Sequence, residues 1–232
     1  MKESMENNLS RRRLLKMGLT GTAAGVLMGG LDLAVPSVAL AQDVSTPDAA
    51  LNQLMAGNKR YLSDGIKASA QTLADIRKQT AKKQEPFAAV LSCADSRVPV
   101  EIVFDQTIGK IFVARVAGNF VTPEIIGSLE YGAAVLGTKV ILVIGHSDCG
   151  AVKATIKGES APGQISSFFP HIQPAVNEAG HDLEAATKAN AKIQAGLLSQ
   201  ASTVISSMVK DGKIKVVAGY YDVGSGVVTL VQ

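Results

Sequence analysis

LVIGHSDCGAV, Leu142 to Val152, is an apolar run that breaks abruptly into small, polar and soft-ligand residues. AAVLSCADSRV, Ala88 to Val98, does the same. A short continuous run of Val, Ile, Leu and Ala reads as a strand buried on both faces of a parallel sheet. Each run delivers one of the two cysteines in the chain. In open α/β sheets, ligands bind beyond the carboxyl ends of the strands. Fold and chemistry therefore meet at these two strand ends.

The flanking sequence extends this pattern. Thr46-Pro47-Asp48 starts a helix with an N-cap, a proline at the first position and an early acid. Ala50, Leu51, Leu54 and Met55 carry it at helical spacing, and Asp64-Gly65 stops it. A more polar helix is expected from Ala70 to Lys83. Strands are expected at Phe87–Ser92, Ile111–Val116, Lys139–Ile144 and Lys213–Tyr221. Pro99 and Glu101 open a short turn or helix. Longer helices are expected at Pro123–Leu136, from Ala151, at Ile165–Glu178 and at Asp182–Lys210. After a turn at Asp222–Gly226, Val227–Val231 pairs back as a hairpin. Alternating strands and helices give an α/β fold: a mainly parallel central sheet flanked by helices, with an antiparallel carboxyl-terminal edge strand.

If the two quoted strands are neighbours, Cys93, Asp95, His146 and Cys149 converge on one crevice. Two thiolates, an imidazole and a carboxylate form a tetrahedral zinc set. A lone His-x-x-Cys pair says little; the other cysteine at a matching strand end, beside an Asp, strengthens it. Asp95 and Arg97 are two apart and point to one side of an extended segment, where they can pair. Asp95 then has two states. It closes the site as a fourth ligand, or it pairs with Arg97 and leaves that position open, as catalysis requires. At an open position a water can be activated near neutral pH. Two thiolate ligands donate more charge than imidazoles, so activity is expected to rise through the alkaline range.

The first 41 residues read as an export signal, leaving residues 42–232 as the functional domain. Arg11-Arg12-Arg13-Leu14-Leu15-Lys16 precedes an apolar, Gly/Ala-rich stretch, and Ala39-Leu40-Ala41 offers a signal-peptidase site before Gln42. The stretch is too short for a membrane span and is followed by Asp32 and Pro36. It resembles a twin-arginine signal, which implies export to the periplasm or beyond of a protein that has already folded. No cysteine follows, so no stable membrane anchor is expected. Of 23 basic and 20 acidic residues, the signal holds five and three; the remaining 18 and 17 form no basic stripe for nucleic acid.

CADSR at Cys93–Arg97, RVAGN at Arg115–Asn119, SLEYGAAVLG at Ser128–Gly137, GHSDCGAV at Gly145–Val152 and AGYYDVGSGVV at Ala218–Val228 resemble the β-class carbonic anhydrases. The resemblance implies a zinc enzyme for reversible hydration of CO2 to bicarbonate and a proton. It implies Cys93, His146 and Cys149 as zinc ligands, with Asp95 and Arg97 as a gating pair. Gln84 matches a glutamine that donates to a substrate oxygen. Phe112, Ala117 and Tyr131 fall where the family lines its CO2 pocket, and the Gly150 amide faces the substrate. It also implies a homodimer or a higher even oligomer, because the family's site forms at a dimer interface. Val90 stands where one branch carries a regulatory tryptophan, and Val116 stands where an asparagine is usual.

Three other readings remain at this level. The same zinc could serve carbonyl sulfide or carbon disulfide. A closed site could be purely structural. An exported chain with two cysteines could also form a Cys93–Cys149 disulfide. His171 and His181 are proton-shuttle candidates by side-chain type alone.

Overall fold

The computed structural model describes residues 44–63 and 72–232. The expected signal and cleavage site, the Asp64-Gly65 stop and the Ala70 start lie outside them. Thr46 caps α1 (Pro47–Leu62) by accepting from the Ala49 amide. Thr72 caps α2 (Leu73–Thr80) the same way through Asp75. There follow β1 (Ala88–Ser92), the single turn α3 (Val100–Val103), β2 (Ile111–Arg115), α4 (Pro123–Glu130), β3 (Val140–His146) and α5 (Gly150–Lys157). The rest comprises α6 (Phe169–Ala179), α7 (Leu183–Ala201), α8 (Thr203–Lys210), β4 (Lys215–Tyr221) and β5 (Val228–Val231).

The sheet order is β2-β1-β3-β4-β5. Its first four strands run parallel, and β5 returns antiparallel to β4. The chain leaves β1 toward β2 on one side, and β3 lies on the other. The crevice between β1 and β3 is therefore the switch point where ligands bind in such sheets. Ser92 pairs with Ile144, which brings Cys93 alongside the Gly145–His146 end of β3.

Every residue of β1 and β3 is buried, as their unbroken apolar runs require. Their side chains alternate between two cores. Ala88, Val90, Val140, Leu142 and Ile144 meet α1 through Ala50 and Leu54. Ala89, Leu91, Ile141 and Val143 meet α4, α7 and α8. α7 approaches β3 tightly at Gly145, where an added Cβ would stand 2.8 Å from Thr187 Cγ2 and 3.0 Å from the Thr187 carbonyl oxygen.

Three expected helices differ. Asp182–Lys210 is two helices, because Ser202 adopts φ −101° and ψ 113° and caps α8 through the Ile205 amide. Pro123–Leu136 widens after Glu130 into a π-turn, Tyr131–Val135, whose Gly132 faces the Phe112 ring. Ile165–Phe168 is a 3-10 turn, and the α-helix begins only at Phe169, with Pro170 in its first turn.

Asn58 is the buried polar pin of the first core. Its amide donates to the carbonyl oxygens of Val103 (3.1 Å) and Gly226 (2.9 Å) and accepts from the Val228 amide (3.0 Å). Asn58→Ala leaves three buried backbone groups without partners. It is expected to lower stability by about 3 kcal/mol in equilibrium urea unfolding.

Candidate metal centre

Cys93 follows the last residue of β1, His146 ends β3, and Cys149 is the N-cap of α5. All three are buried, and their ligand atoms lie within 4.8 Å of one another. The Ser147-Asp148 turn between His146 and Cys149 is tight, with Asp148 at φ +60°. The Ser147 amide donates to the Tyr221 carbonyl (2.9 Å), and the Val223 amide donates to Ser147 Oγ (2.8 Å). The ligand turn is thus tied to the end of β4.

The donor chemistry suits zinc. His146 Nδ1 faces the Ser147 carbonyl at 2.9 Å, an arrangement that directs the proton to Nδ1 and leaves Nε2 free to ligate. His146 Nε2 is buried without a hydrogen-bond partner, an unfavourable state that a metal relieves. Of the two neighbouring thiols, Cys149 keeps its proton and Cys93 gives its proton up more readily. The hydrogen bond from Cys149 pulls Cys93 down to about 4, against burial and with help from His146 and the amides of Gly118 and Asp95. The same bond, together with burial, pushes Cys149 up. A divalent cation replaces the proton that Cys149 keeps. Among the described residues both cysteines are free, so the Cys93–Cys149 disulfide is not formed.

Asp95 is turned toward Arg97. Arg97 Nη2 donates to Oδ2 at 2.8 Å, Nε to Oδ1 at 3.0 Å, and the backbone amide to Oδ1 at 2.9 Å. This hydrogen bonding holds the Asp95 carboxyl far below the usual carboxylate range, so the pair loosens only in strong acid. Asp95 Oδ2 is 3.9 Å from His146 Nε2, beside the ligand atoms but committed to the guanidinium.

Several supporting residues have no role assigned from sequence. Arg115 donates to the carbonyl oxygens of Cys93 (3.0 Å) and Asp95 (2.6 Å) and so shapes the ligand loop. Asp148 meets Arg97 Nη1 through Oδ2 at 3.4 Å and Nη2 through its carbonyl at 3.3 Å, and it pairs with Lys153. The Gly118 amide donates to Cys93 Sγ at 3.3 Å. Arg115 and Gly118 lie in a recognisable motif, but nothing in their spacing reveals these contacts.

Ala117 follows β2 and Gly150 opens α5, both at the carboxyl end of the sheet with the ligands. Gln84, Phe112 and Tyr131 are not there in the same chain. Gln84 is exposed and precedes β1, whose five residues separate it from Cys93. Phe112 pairs with Ala89 near the start of β1, and Tyr131 packs 6.3 Å from Phe112 between ring centroids. His171 is exposed and stacks on Phe120 at 4.4 Å.

The unmodified chain is expected to retain zinc in a one-to-one ratio. Cys93→Ser, His146→Ala and Cys149→Ser are each expected to lose it, as read by metal analysis after dialysis against a weak chelator.

A family model described as carbonic anhydrase matches residues 88–228, a span that contains the whole metal centre. Carbonic anhydrase 2 of Mycobacterium tuberculosis is 31% identical over 190 residues, covering 78% of this chain and 91% of that protein. The carbonic anhydrase of Mycolicibacterium smegmatis is 38% identical over 136 residues, covering 57% and 66%. Among solved structures, the β-carbonic anhydrase of Coccomyxa in complex with acetazolamide is 26% identical with a TM-score of 0.59, covering 78% of this chain and 86% of that one. The parallel sheet with its antiparallel edge, the cysteine-histidine-cysteine cluster at the switch point and these matches agree: the chain belongs to the β-class carbonic anhydrase family.

Proposed function

We infer that the chain hydrates CO2 reversibly to bicarbonate and a proton at zinc held by Cys93, His146 and Cys149. The observation that carries this reading is the buried, unpartnered His146 Nε2 between two thiols, with Asp95 drawn aside by Arg97. Zinc, when bound, supplies the Lewis acidity that makes water a nucleophile toward CO2 near neutral pH. Asp95 Oδ2, 3.9 Å from His146 Nε2, would accept a hydrogen bond from such a water and orient it, and Arg97 keeps the carboxylate ionised and aimed. The Gly150 amide, in the first turn of α5, faces the negative charge that develops on the product oxygen. Asp95, held ionised by Arg97 throughout the neutral and alkaline range, adds no titration of its own to the activity there.

Gln84, Phe112 and Tyr131 complete the site in this reading from a second copy of the chain. Within one chain they sit away from the ligands, and Gln84 and Tyr131 are exposed. β2 is an edge strand, and exposed apolar side chains flank it in sequence: Ile102, Ile108, Tyr131 and Val135.

Stopped-flow CO2 hydration by the zinc-loaded chain is expected to be fast and to increase from neutral to alkaline pH. Asp95→Asn should keep zinc and lose activity by on the order of 100-fold. Mixing Gln84→Ala chains with Asp95→Asn chains should restore about a quarter of full activity, since half of random dimers carry one intact site of two. No restoration on mixing would exclude the shared site; no turnover with zinc bound would exclude the activity.

We also propose that residues 1–41 direct export and are removed. The paired arginines, the apolar stretch and Ala39-Leu40-Ala41 support this. Mass spectrometry of the exported chain is expected to find Gln42 at its amino terminus, and Arg12→Lys with Arg13→Lys should hold the chain back. A chain that begins at Met1 outside the cytoplasm, or unimpeded export of the double variant, would contradict it.

A further inference from the structure

α7 reads as an alanine-rich packing helix, yet three polar side chains on its buried face are shielded from water: Thr187, Asn190 and Gln194. Thr187 bonds within its own helix, to the Leu183 carbonyl at 2.7 Å. The other two reach the loop after β2. Asn190 Nδ2 donates to the Gly118 carbonyl at 2.9 Å. Gln194 Oε1 accepts from the Val121 amide at 2.9 Å, and its Nε2 donates to the His171 carbonyl at 2.9 Å and to Asn190 Oδ1 at 3.3 Å. One amide pair thus ties the loop to both α6 and α7.

That loop needs bracing. Gly118 and Asn119 are successive left-handed residues, at φ +85° and +43°. Glycine adopts this backbone freely, but the left-handed Asn119 persists only where its surroundings over-determine it. A side chain at Gly118 would collide with Ile172 Cδ1 at 2.7 Å. The glycine is held at both ends: its carbonyl by Asn190, its N–H on Cys93 Sγ at 3.3 Å. An N–H donor on a thiolate stabilises the sulfur lone pairs and reduces the charge passed to a metal. Groups behind the ligands tune metal sites in this way.

We propose that Asn190 and Gln194 are positioning residues of the metal centre. They fix the Gly118 amide on Cys93 Sγ and thereby set how strongly that thiolate donates to the metal. The proposal rests on Cys93 as a ligand, and the first step tests that alone: the cobalt-loaded, otherwise unmodified chain must show thiolate-to-cobalt charge-transfer absorption. If it does, Asn190→Leu, similar in size and without a donor, is expected to move the band to lower energy, because Cys93 then donates more charge to the metal. Its activity profile should shift to higher pH. Gln194→Met should move the band the same way by less. Leu198→Ala, a cavity on the same helix, should lower the melting temperature without moving the band. In the unmodified chain loaded with cadmium-113, the Gly118 amide proton should couple to the metal through the hydrogen bond, a readout that needs no variant. An unshifted band in both amide variants, or absence of that coupling, overturns the proposal.

Discussion

Two side chains far apart in sequence meet because β1 and β3 are adjacent, parallel and in register. Ser92 opposite Ile144 is the pairing on which the site depends. A slip of one residue would turn every side chain of a strand to the other face. The two cores forbid this, because Val90, Leu142 and Ile144 must face α1 while Leu91 and Val143 face α7. Hydrophobic burial, the non-directional force, fixes the register. The register then places Cys93 beside His146, where directional chemistry begins.

Around that meeting point the polar groups divide into two kinds. One kind consists of donors that hold the ligand loops: Arg115 on the Cys93 and Asp95 carbonyls, Gly118 on sulfur, Ser147 on β4. The other is a run of charges, from Asp95 through Arg97 and Asp148 to Lys153. This run joins the Cys93 loop to α5 across the crevice. The contacts of Asp148 with Arg97 and Lys153 are solvent-accessible and individually weak. Their value is orientation: Arg97 is held from two directions, and its grip on Asp95 decides which way that carboxylate faces.

The ligands are legible in sequence because a cysteine or histidine at the end of an aliphatic run interrupts its pattern and is a soft metal ligand. The strands are legible because β1 and β3 are buried on both sides and carry no polar interruption. The break between α7 and α8 is harder to see, although Ser202 is an ordinary cap residue, because alanines on the amino-terminal side suggest one long helix. The Gly118 contact leaves no trace, since a backbone amide has no letter of its own. Asn190 and Gln194 are misleading. Polar residues on an alanine-rich helix suggest the solvent face, and only the fold shows that they point inward. Gln84, Phe112 and Tyr131 can be matched by resemblance, but the fold places them away from the ligands within one chain.

The contact between Gly145 and Thr187 sets the spacing of the second layer. The helix stands as close to β3 as a missing side chain allows, and the next residue on the strand is His146. Evolutionary freedom in α7 is therefore narrower than its plain composition suggests. Bulk added to its inner face would lift it from the strand and carry the imidazole's backing away with it. An alanine-rich segment that contributes no ligand thus acts as a dimensional gauge for the metal centre.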